Sequence, residues 1–350
     1  MGEWKHTPGV YYADASDKGI QTGTDARHYG ISAKLDKPYK SSDGKDIVIQ
    51  YSVKHEQDID CGGAYIKLLP GGDDFDSKKF GGDSPYGIMF GPDICGSTKR
   101  THVILHNERK NDNILINKDI PCEKDNFSHL YTLVVRTDNT FEVFVDNKSV
   151  RNGKLGDEFP FLEPEEIKDP DQSKPTDWVD EGNMFDPNDI KPEGYDDIPS
   201  EIPDPEAEKP EDWDDEDDGE WEPPMIDNPD YKGSWTAKTI INPDYKGPWV
   251  PPMIPNPDYV YDENMHAVCP NGCSHVGFEL WQVKSGTIFD DILITDSLEE
   301  AQKFAEETFF KKRDGEKKMF DEQNKPSEDV SDIMDEDDDD FEMDGFGDEF

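Results

Sequence analysis

The sequence predicts an all-β protein: a β-sandwich interrupted by an extended proline-rich hairpin arm and followed by a C-terminal helix and an acidic tail. Three observations predict this organisation. Short segments on both sides of a central region alternate apolar and polar side chains. The central region holds two types of tandem repeat, each present three times. The end of the chain is densely acidic.

The first part of the predicted sandwich spans residues 1–163. Apolar and polar side chains alternate over residues 47–53, which is the pattern of a half-buried strand. The same alternation occurs at residues 141–145, which follow residues 130–136 after an Asp138-Asn139 turn. These two segments therefore predict a β-hairpin. Many short strands separated by glycine-rich turns are typical of a sandwich.

The repeats occupy residues 164–262. The first type spans residues 167–178, 184–195 and 202–213, and the second spans 219–231, 233–245 and 247–259. Proline density excludes long helices and central strands. We expect the first triplet to run outward and the second to return beside it, with each repeat placing an aromatic ring on the opposing strand. The alternative interpretation is a disordered acidic linker.

Residues 263–296 alternate again and are expected to complete the sandwich as returning strands. The next segment, 297–327, carries apolar residues at helical spacing, and Ser297 is a candidate N-cap, so we expect a C-terminal helix there. Residues 328–350 contain no Lys or Arg. Such a tail repels itself and is expected to be disordered without counterions.

The net charge of −46, from 82 acidic and 36 basic residues, restricts the partners of this chain. Strong acidity disfavours nucleic acid and anionic membranes. No apolar run is long enough for a membrane helix. The charge favours cations, above all calcium, which prefers oxygen ligands. The alternative interpretation is that acidity serves only solubility or disorder.

Five cysteines leave at least one thiol unpaired or intermolecular. Cys269 and Cys273 flank Pro-Asn-Gly, which suggests a tight turn closed by a disulfide; with His275 nearby, a metal site is the alternative. The eight histidines lie in no catalytic motif, and no Gly-rich phosphate loop precedes a helix. We therefore expect a protein that is not an enzyme.

Several motifs resemble the calreticulin/calnexin family of calcium-binding lectin chaperones. They are Lys54-His-Glu-Gln57, Asp60-Cys-Gly-Gly63, Ile88-Met-Phe-Gly-Pro-Asp-Ile-Cys95 and Leu280-Trp-Gln-Val-Lys-Ser-Gly-Thr-Ile-Phe289. Three repeats of each type match the soluble branch, since the membrane-bound branch carries four. The resemblance implies a legume-lectin-like, concanavalin-type sandwich interrupted by an arm called the P-domain. It also implies a monomer in the lumen of the endoplasmic reticulum.

The resemblance implies a site for the terminal glucose of a monoglucosylated high-mannose glycan. The hydrogen-bonding residues would be Tyr65, Lys67, Tyr86, Asp93 and Glu279. The apolar contacts would come from Met89, Ile104 and Trp281, and Gly82 would allow close backbone approach. Position 279 departs from the usual Asp of soluble members, and we expect binding to survive. Without the resemblance, Tyr65 and Trp281 would be interpreted as core aromatics.

The resemblance further implies a Cys61–Cys95 disulfide beneath this site and a free thiol at Cys122, whereas Cys269 and Cys273 match no family cysteine. It implies a structural calcium site formed by the carboxylate of Asp290 and the main-chain carbonyls of Ser16 and Lys18. The acidic tail would bind further calcium weakly. We also expect the family's N-terminal strand to be missing, which would leave the calcium site incomplete.

The junction between the two repeat types, residues 214–221, is where the arm is expected to turn. Acidic residues there surround one tryptophan: Asp215, Glu216, Asp218, Glu220 and Trp221. In the family this tip recruits a thiol-disulfide oxidoreductase of the protein disulfide isomerase group, and acidic groups around an aromatic anchor suit a basic groove. The alternative is that Trp221 packs within the arm.

The resemblance and the patterns together lead to three candidate functions. The first is a lectin chaperone that holds incompletely folded glycoproteins and delivers them to an oxidoreductase at the arm tip, with calcium storage as a second role. The others are a luminal calcium store with a degenerate sugar site, and a sugar-independent polypeptide chaperone. No leader is visible, and Gly347 to Phe350 is not a Lys-Asp-Glu-Leu signal. We therefore expect a fragment trimmed at both ends.

Overall fold

The computed structural model describes residues 1–214 and 219–325. Its contacts divide the chain into two units. One unit joins residues 1–163 to those from 258 onward, and the other consists of Pro164–Pro257. The predicted acidic tail lies outside the described residues, as do Asp215, Glu216 and Asp218 of the predicted arm tip.

The described residues form twenty strands and three α-helices. The strands before the arm are β1 Trp4–Thr7, β2 Gly19–Thr22, β3 Arg27–Tyr39, β4 Ile47–His55, β5 Cys61–Gly63, β6 Ile66–Pro70, β7 Ile88–Cys95, β8 Thr98–Asn107, β9 Asp112–Leu115, β10 Ser128–Val135, β11 Thr140–Val145 and β12 Lys148–Lys154. The arm strands are β13 Glu166–Lys168, β14 Asn183–Phe185, β15 Glu201–Pro203, β16 Met225–Asp227, β17 Thr239–Ile241 and β18 Met253–Pro255. After the arm come β19 Cys273–Gln282 and β20 Thr287–Thr295; the helices are α1 Leu155–Glu158, α2 Leu298–Glu307 and α3 Phe309–Gln323.

Two sheets enclose the core of the first unit. One has the order β1-β2-β20-β4-β10-β11-β12, and the other β3-β19-β5-β7-β8-β9, with β6 paired to β19 and β7. Their inner faces contribute one continuous buried cluster, in which Phe278 of the second sheet lies 4.3 Å from Phe289 of the first, between ring centroids. This arrangement confirms the predicted β-sandwich. The predicted hairpin is β10–β11, with Asn139 in its turn at a φ of 63°.

Tyr51 and Gly91 meet where the two sheets approach closely. The hydroxyl of Tyr51 lies 2.8 Å from the carbonyl oxygen of Ala64 and 3.0 Å from that of Phe90. Gly91 has a φ of 126°, and a Cβ atom there would lie 1.7 Å from the Tyr51 hydroxyl. Both the backbone conformation and the contact therefore require glycine at this position of the Phe-Gly-Pro motif.

The two strands that follow the arm separate, one to each sheet. β19 pairs with β3 and β6, and β20 pairs with β2 and β4. The residues after the arm therefore complete both layers of the sandwich that the residues before it begin.

The arm is a hairpin of nested strand pairs, as the repeats predict. β13 pairs with β18, β14 with β17, and β15 with β16, all antiparallel. The indole Nε1 of Trp178 donates to the carbonyl oxygen of Gly247 at 2.8 Å, and that of Trp213 donates to Gly219 at 2.9 Å. An aromatic residue of an outgoing repeat therefore binds the opposing strand.

The strict fourteen-residue period of three arm glycines has a backbone cause. Gly219, Gly233 and Gly247 have φ angles of 84°, 76° and 86°, in the left-handed region that glycine adopts without steric cost. Each repeat of the second type therefore has the same backbone conformation at its glycine. The carbonyl groups of Gly219 and Gly247 accept the tryptophan hydrogen bonds.

The C-terminal segment forms two helices rather than the one predicted over 297–327. Ser297 caps α2, because its hydroxyl accepts from the Glu300 amide at 3.2 Å. Thr308, with φ −117° and ψ −85°, ends α2 and precedes α3. Phe309 is buried against Leu130 immediately after this break, so burial of the ring accompanies the interruption between the two helices.

Four of the five cysteines are paired. Cys61 and Cys95 form a disulfide across neighbouring strands β5 and β7, as the family resemblance implies. Cys269 and Cys273 form a second disulfide, so the metal-site alternative at these residues is wrong. Cys122 is free and half-buried, and burial followed by the Glu123 charge raises the pKa of its thiol to about 11.

The two disulfides are expected to differ in their contribution to stability. They close loops of 34 and 4 residues in sequence separation. The chain-entropy model then predicts that C61S/C95S lowers the free energy of unfolding by about 4 kcal/mol and C269S/C273S by about 2 kcal/mol. Urea unfolding of the two double variants checks the order. A larger loss for C269S/C273S would contradict loop length as the dominant cause.

Candidate functional site

The predicted sugar-binding residues that lie in β6, β7, β8 and β19 are on the outer face of their sheet, whereas Tyr65, Gly82 and Tyr86 lie outside the strands. Alternation along each strand turns one set of side chains inward and the other outward. Lys67 is the register partner of Met89, and Met89 is the partner of Ile104. These three side chains therefore form a row across the sheet, and Glu279 lies on the adjoining strand β19.

The centre of this face is a buried ion pair. Lys67 Nζ lies 2.9 Å from Glu279 Oε2, although the two side chains are only 2% and 13% exposed. The same ammonium lies 4.9 Å from the ring centroid of Tyr86, which is within cation–π distance. An ammonium and a carboxylate are thus fixed side by side next to a phenol.

Tyr65 lies at the edge of this centre and remains a hydrogen-bond donor. Burial, followed by the charges of Glu279 and Asp93, raises the pKa of its phenol well above the usual range. Burial also raises the pKa of Tyr86. Both phenols therefore stay protonated at neutral pH.

His102 packs beside Tyr65, and the sequence had indicated no role for it. Their ring centroids are 5.8 Å apart, and the angle between the ring planes is 27°. Arg100 Nε donates to His102 Nε2 at 3.0 Å, so this nitrogen carries no proton. Burial lowers the pKa of His102, in agreement with a neutral ring. Its 3.3 Å contact with Asp93 is then not an ion pair, and Asp93 retains acceptor capacity.

Trp281 forms an exposed aromatic surface on the same face. It is 40% exposed, and its ring centroid lies 4.6 Å from that of His28 on β3. The interpretation of Trp281 as a core aromatic is therefore wrong. Gly82 lies near Glu279, and a Cβ atom there would be 3.8 Å from Glu279 Oε1, an ordinary contact distance. No steric requirement for glycine at position 82 arises from its protein neighbours.

The structure brings Lys67, Tyr86 and Glu279 into contact, with Met89 and Ile104 beside them in register. The residues that the sequence analysis missed are Arg100, His102 and His28. Arg100 and His102 precede Ile104 by four and two residues on β8, so strand alternation was a signal for the shared face. His28 had no such signal, because its pairing with Trp281 is long-range.

A second polar cluster includes the predicted calcium ligand Asp290. Lys312 Nζ of α3 lies 2.7 Å from Asp17, 2.9 Å from Asp290 and 3.0 Å from Asp291, measured to carboxylate oxygens. β20 changes register between Asp290 and Leu293, and Asp291 has a φ of 51°. This bulge turns two successive carboxylates towards one cation.

The electrostatics of this cluster reflect crowded carboxylates. Burial, followed by the charge of Asp290, raises the pKa of Asp291. Burial alone would lower the pKa of Lys312, but Asp17, Asp291 and Asp290 outweigh it and raise the pKa above its usual value. The lysine therefore stays charged.

The predicted ligands Ser16 and Lys18 flank Asp17 in an exposed loop before β2. The Ser16 amide donates to Asp14 Oδ1 at 2.8 Å, which shapes this loop. Among residues 1–214 and 219–325, no group of three His, Cys, Asp or Glu side chains has the geometry of a metal site. The donor chemistry of Asp17, Asp290 and Asp291 nevertheless fits calcium, since all three supply carboxylate oxygen.

The arm tip is described only in part. Glu220 is exposed and Trp221 is half-buried. The neighbouring Trp213 is engaged with Gly219 through the hydrogen bond given above.

In the described part of the chain, no helix is long and apolar enough to cross a membrane.

The family model "Calreticulin family" matches residues 1–218 and 215–294. The chain belongs to the calreticulin family. This match covers more than half of the chain and includes both the predicted sugar-binding residues and the arm.

Individual calreticulins agree with this assignment. The chain is 58% identical to the calreticulin of Chlamydomonas reinhardtii over 322 residues, which are 91% of this chain and 76% of that protein. It is 54% identical to the calreticulin of Dictyostelium discoideum, covering 91% and 74%. A solved structure, the T. cruzi calreticulin globular domain, aligns with a TM-score of 0.64 at 31% identity, covering 92% of this chain and 90% of that one.

Membership of the calreticulin family has direct consequences. Calreticulins are calcium-binding lectin chaperones and not enzymes. The legume-lectin-like sandwich with its C-terminal helical segment is the calreticulin globular fold.

Proposed function

We propose that this chain is a luminal lectin chaperone that binds monoglucosylated high-mannose N-glycans through the outer face of its β6–β7–β8–β19 sheet. The observation that carries the proposal is the buried Lys67–Glu279 pair, 2.9 Å between Nζ and Oε2. Burying an isolated charge is costly, and a pair held at a sheet surface beside two phenols is arranged for a polar ligand.

The surrounding groups suit a sugar ring. A hexose presents hydroxyls that both donate and accept, together with C–H faces. Lys67, Tyr65 and Tyr86 supply donors, and Glu279 and Asp93 supply acceptors. Met89, Ile104 and Trp281 provide apolar surface for the ring face. A site with buried polar groups also discriminates well, because a ligand lacking a matching hydroxyl would leave them unpaired.

Glutamate at position 279 suits this role. Its carboxylate already contacts Lys67, and its second oxygen, Oε1, points towards the Gly82 side of the site at 3.8 Å from the position of a Cβ atom there. One oxygen thus orients the ammonium while the other is directed to the region expected to receive sugar. This geometry supports the expectation that binding survives the departure from Asp.

Calcium storage is proposed as a second role. The net charge of −46 supports it, since many carboxylates attract cations without a preformed cage. Asp17, Asp290 and Asp291 would hold a further calcium ion in the sandwich, together with main-chain oxygens near Ser16 and Lys18. Calcium would there neutralise carboxylates from two separate segments and so stabilise the contact between β20 and the loop before β2.

The arm is proposed to recruit a disulfide isomerase-type oxidoreductase in the lumen of the endoplasmic reticulum. Glu220 and Trp221, with Asp215, Glu216 and Asp218, would present an acidic surface around an aromatic group to a basic groove. A glycoprotein held on the sandwich would then meet the enzyme that rearranges its disulfides.

Calorimetric titration with a terminally glucosylated mannose oligosaccharide tests the lectin proposal, with the unglucosylated oligosaccharide as control. We expect binding of the glucosylated ligand only. Tyr65→Phe deletes one hydroxyl donor, so its affinity for that ligand should be about tenfold weaker than that of the wild type. The titration is repeated with calcium and with chelator. No binding to either sugar by folded protein would favour calcium storage or sugar-independent chaperoning instead.

A further inference from the structure

Lys312 occupies the middle of the acidic cluster. Its Nζ atom contacts Asp17, Asp290 and Asp291 at 2.7, 2.9 and 3.0 Å. One ammonium from helix α3 is therefore shared by three carboxylates from two parts of the chain: Asp17 in the loop before β2, and Asp290 and Asp291 in strand β20. The same carboxylate oxygens are those a calcium ion would need.

Helix α3 does not depend on Lys312 for its attachment. Glu316 accepts from the Ser128 amide at 2.9 Å and from its hydroxyl at 2.7 Å. Phe320 lies 5.1 Å from Tyr11 between ring centroids. Because these contacts hold the helix, the flexible lysine side chain is able to leave the carboxylates while α3 stays in place.

The cluster also has room beside it. It borders a cavity of about 50 Å³ that is lined by Asp14, Asp17, Asp290, Asp291 and Lys312, among others. A single water needs roughly 10–15 Å³, so this polar cavity is large enough for a small ion that keeps water in its coordination shell. Calcium accepts such mixed shells of carboxylate, carbonyl and water oxygen.

We propose that Lys312 is a tethered competitor of calcium at this cluster. When calcium is scarce, the ammonium holds Asp17, Asp290 and Asp291 together and offsets their mutual repulsion. When calcium binds, the ammonium withdraws, because two cations repel one another and compete for the same oxygens. The side chain therefore weakens calcium binding and keeps the metal-free sandwich intact. The inference rests on the calcium position in the proposed function.

Terbium luminescence of the full chain, with calcium as the displacing ion, tests this role. The tail beyond residue 325 contains no Tyr or Trp of its own to sensitise a bound ion. Tyr11 and Tyr12 line the cavity and are close enough to sensitise an ion at the cluster. The signal lost in Asp290→Asn defines emission from the site. In Lys312→Met we expect calcium to displace terbium with about tenfold tighter affinity than in wild type.

Lys311→Met is the matched control, since it removes the same charge from an exposed neighbour on α3. Its calcium affinity should change much less than that of Lys312→Met. A second measurement is thermal unfolding in chelator, where Lys312→Met should melt below both wild type and Lys311→Met and gain a larger increase from added calcium.

The outcomes separate the inference from the proposed function. Unchanged or weaker calcium affinity in Lys312→Met, while Asp290→Asn abolishes the signal, overturns the role of Lys312 alone. An equal gain in both lysine variants also overturns it, because net charge would then be the cause. Emission that Asp290→Asn leaves intact overturns the calcium position and the inference together, whereas failure of sugar binding affects neither.

Discussion

Replacing Lys67 by Met is expected to weaken binding of the glucosylated oligosaccharide by about 100-fold or more. The substitution removes a charged donor and leaves Glu279, only 13% exposed, without its 2.9 Å partner. Hydrogen bonds to charged groups contribute about 1.5–3 kcal/mol each, and 1.4 kcal/mol is tenfold in affinity. Calorimetric titration measures the loss.

The same change also lowers stability, and a second variant separates the two effects. Breaking a buried ion pair destabilises by about 3–5 kcal/mol, less here because Glu279 retains some solvent contact. Lys67→Met combined with Glu279→Gln removes the unpaired charge and should recover part of the free energy of unfolding. Sugar binding should stay absent. Recovery of affinity in the double variant would show that Lys67 acts through protein stability and does not contact sugar.

Trp281→Ala is expected to weaken sugar binding by about 30-fold with little change in stability. The indole is 40% exposed, so its truncation creates no core cavity. An aromatic contact to a ligand that is lost on truncation to Ala costs about 2 kcal/mol. Titration and urea unfolding together check both halves of this prediction.

Val283 provides the matched control for Trp281. It lies just beyond the end of β19, two residues after Trp281, and is 39% exposed. Val283→Ala should bind the oligosaccharide as wild type does. Equal effects of the two substitutions would mean that the end of the strand is disturbed generally and that the indole face has no special contact with sugar.

The sequence was sufficient to predict the sandwich and the arm because their signals are local. Alternation of apolar and polar residues indicated β4, β11 and β19, and the repeats indicated the paired segments of the arm. The break at Thr308 was not predictable, since it accompanies burial of Phe309 against a distant strand. Helical spacing alone continues through that position.

The proposed sugar site and the cation cluster differ in how far the sequence could predict them. The resemblance supplied Lys67 and Glu279, and their contact is as expected for one site. Asp291 and Lys312 were missed, because the bulge in β20 and the docking of α3 bring them together. Neither the bulge nor the helix contact is indicated by a local sequence pattern.

The separation of β19 and β20 into different sheets has a consequence for synthesis. More than two hundred residues separate β4 from its partner β20, and a similar number separate β6 from its partner β19. While the chain is being made, these strands leave the ribosome with unpaired edges, which are templates for wrong association. The arm pairs β15 with β16, its nearest strands, so its tip can form first. A protein that shelters incomplete chains thus passes through a long exposed stage of its own.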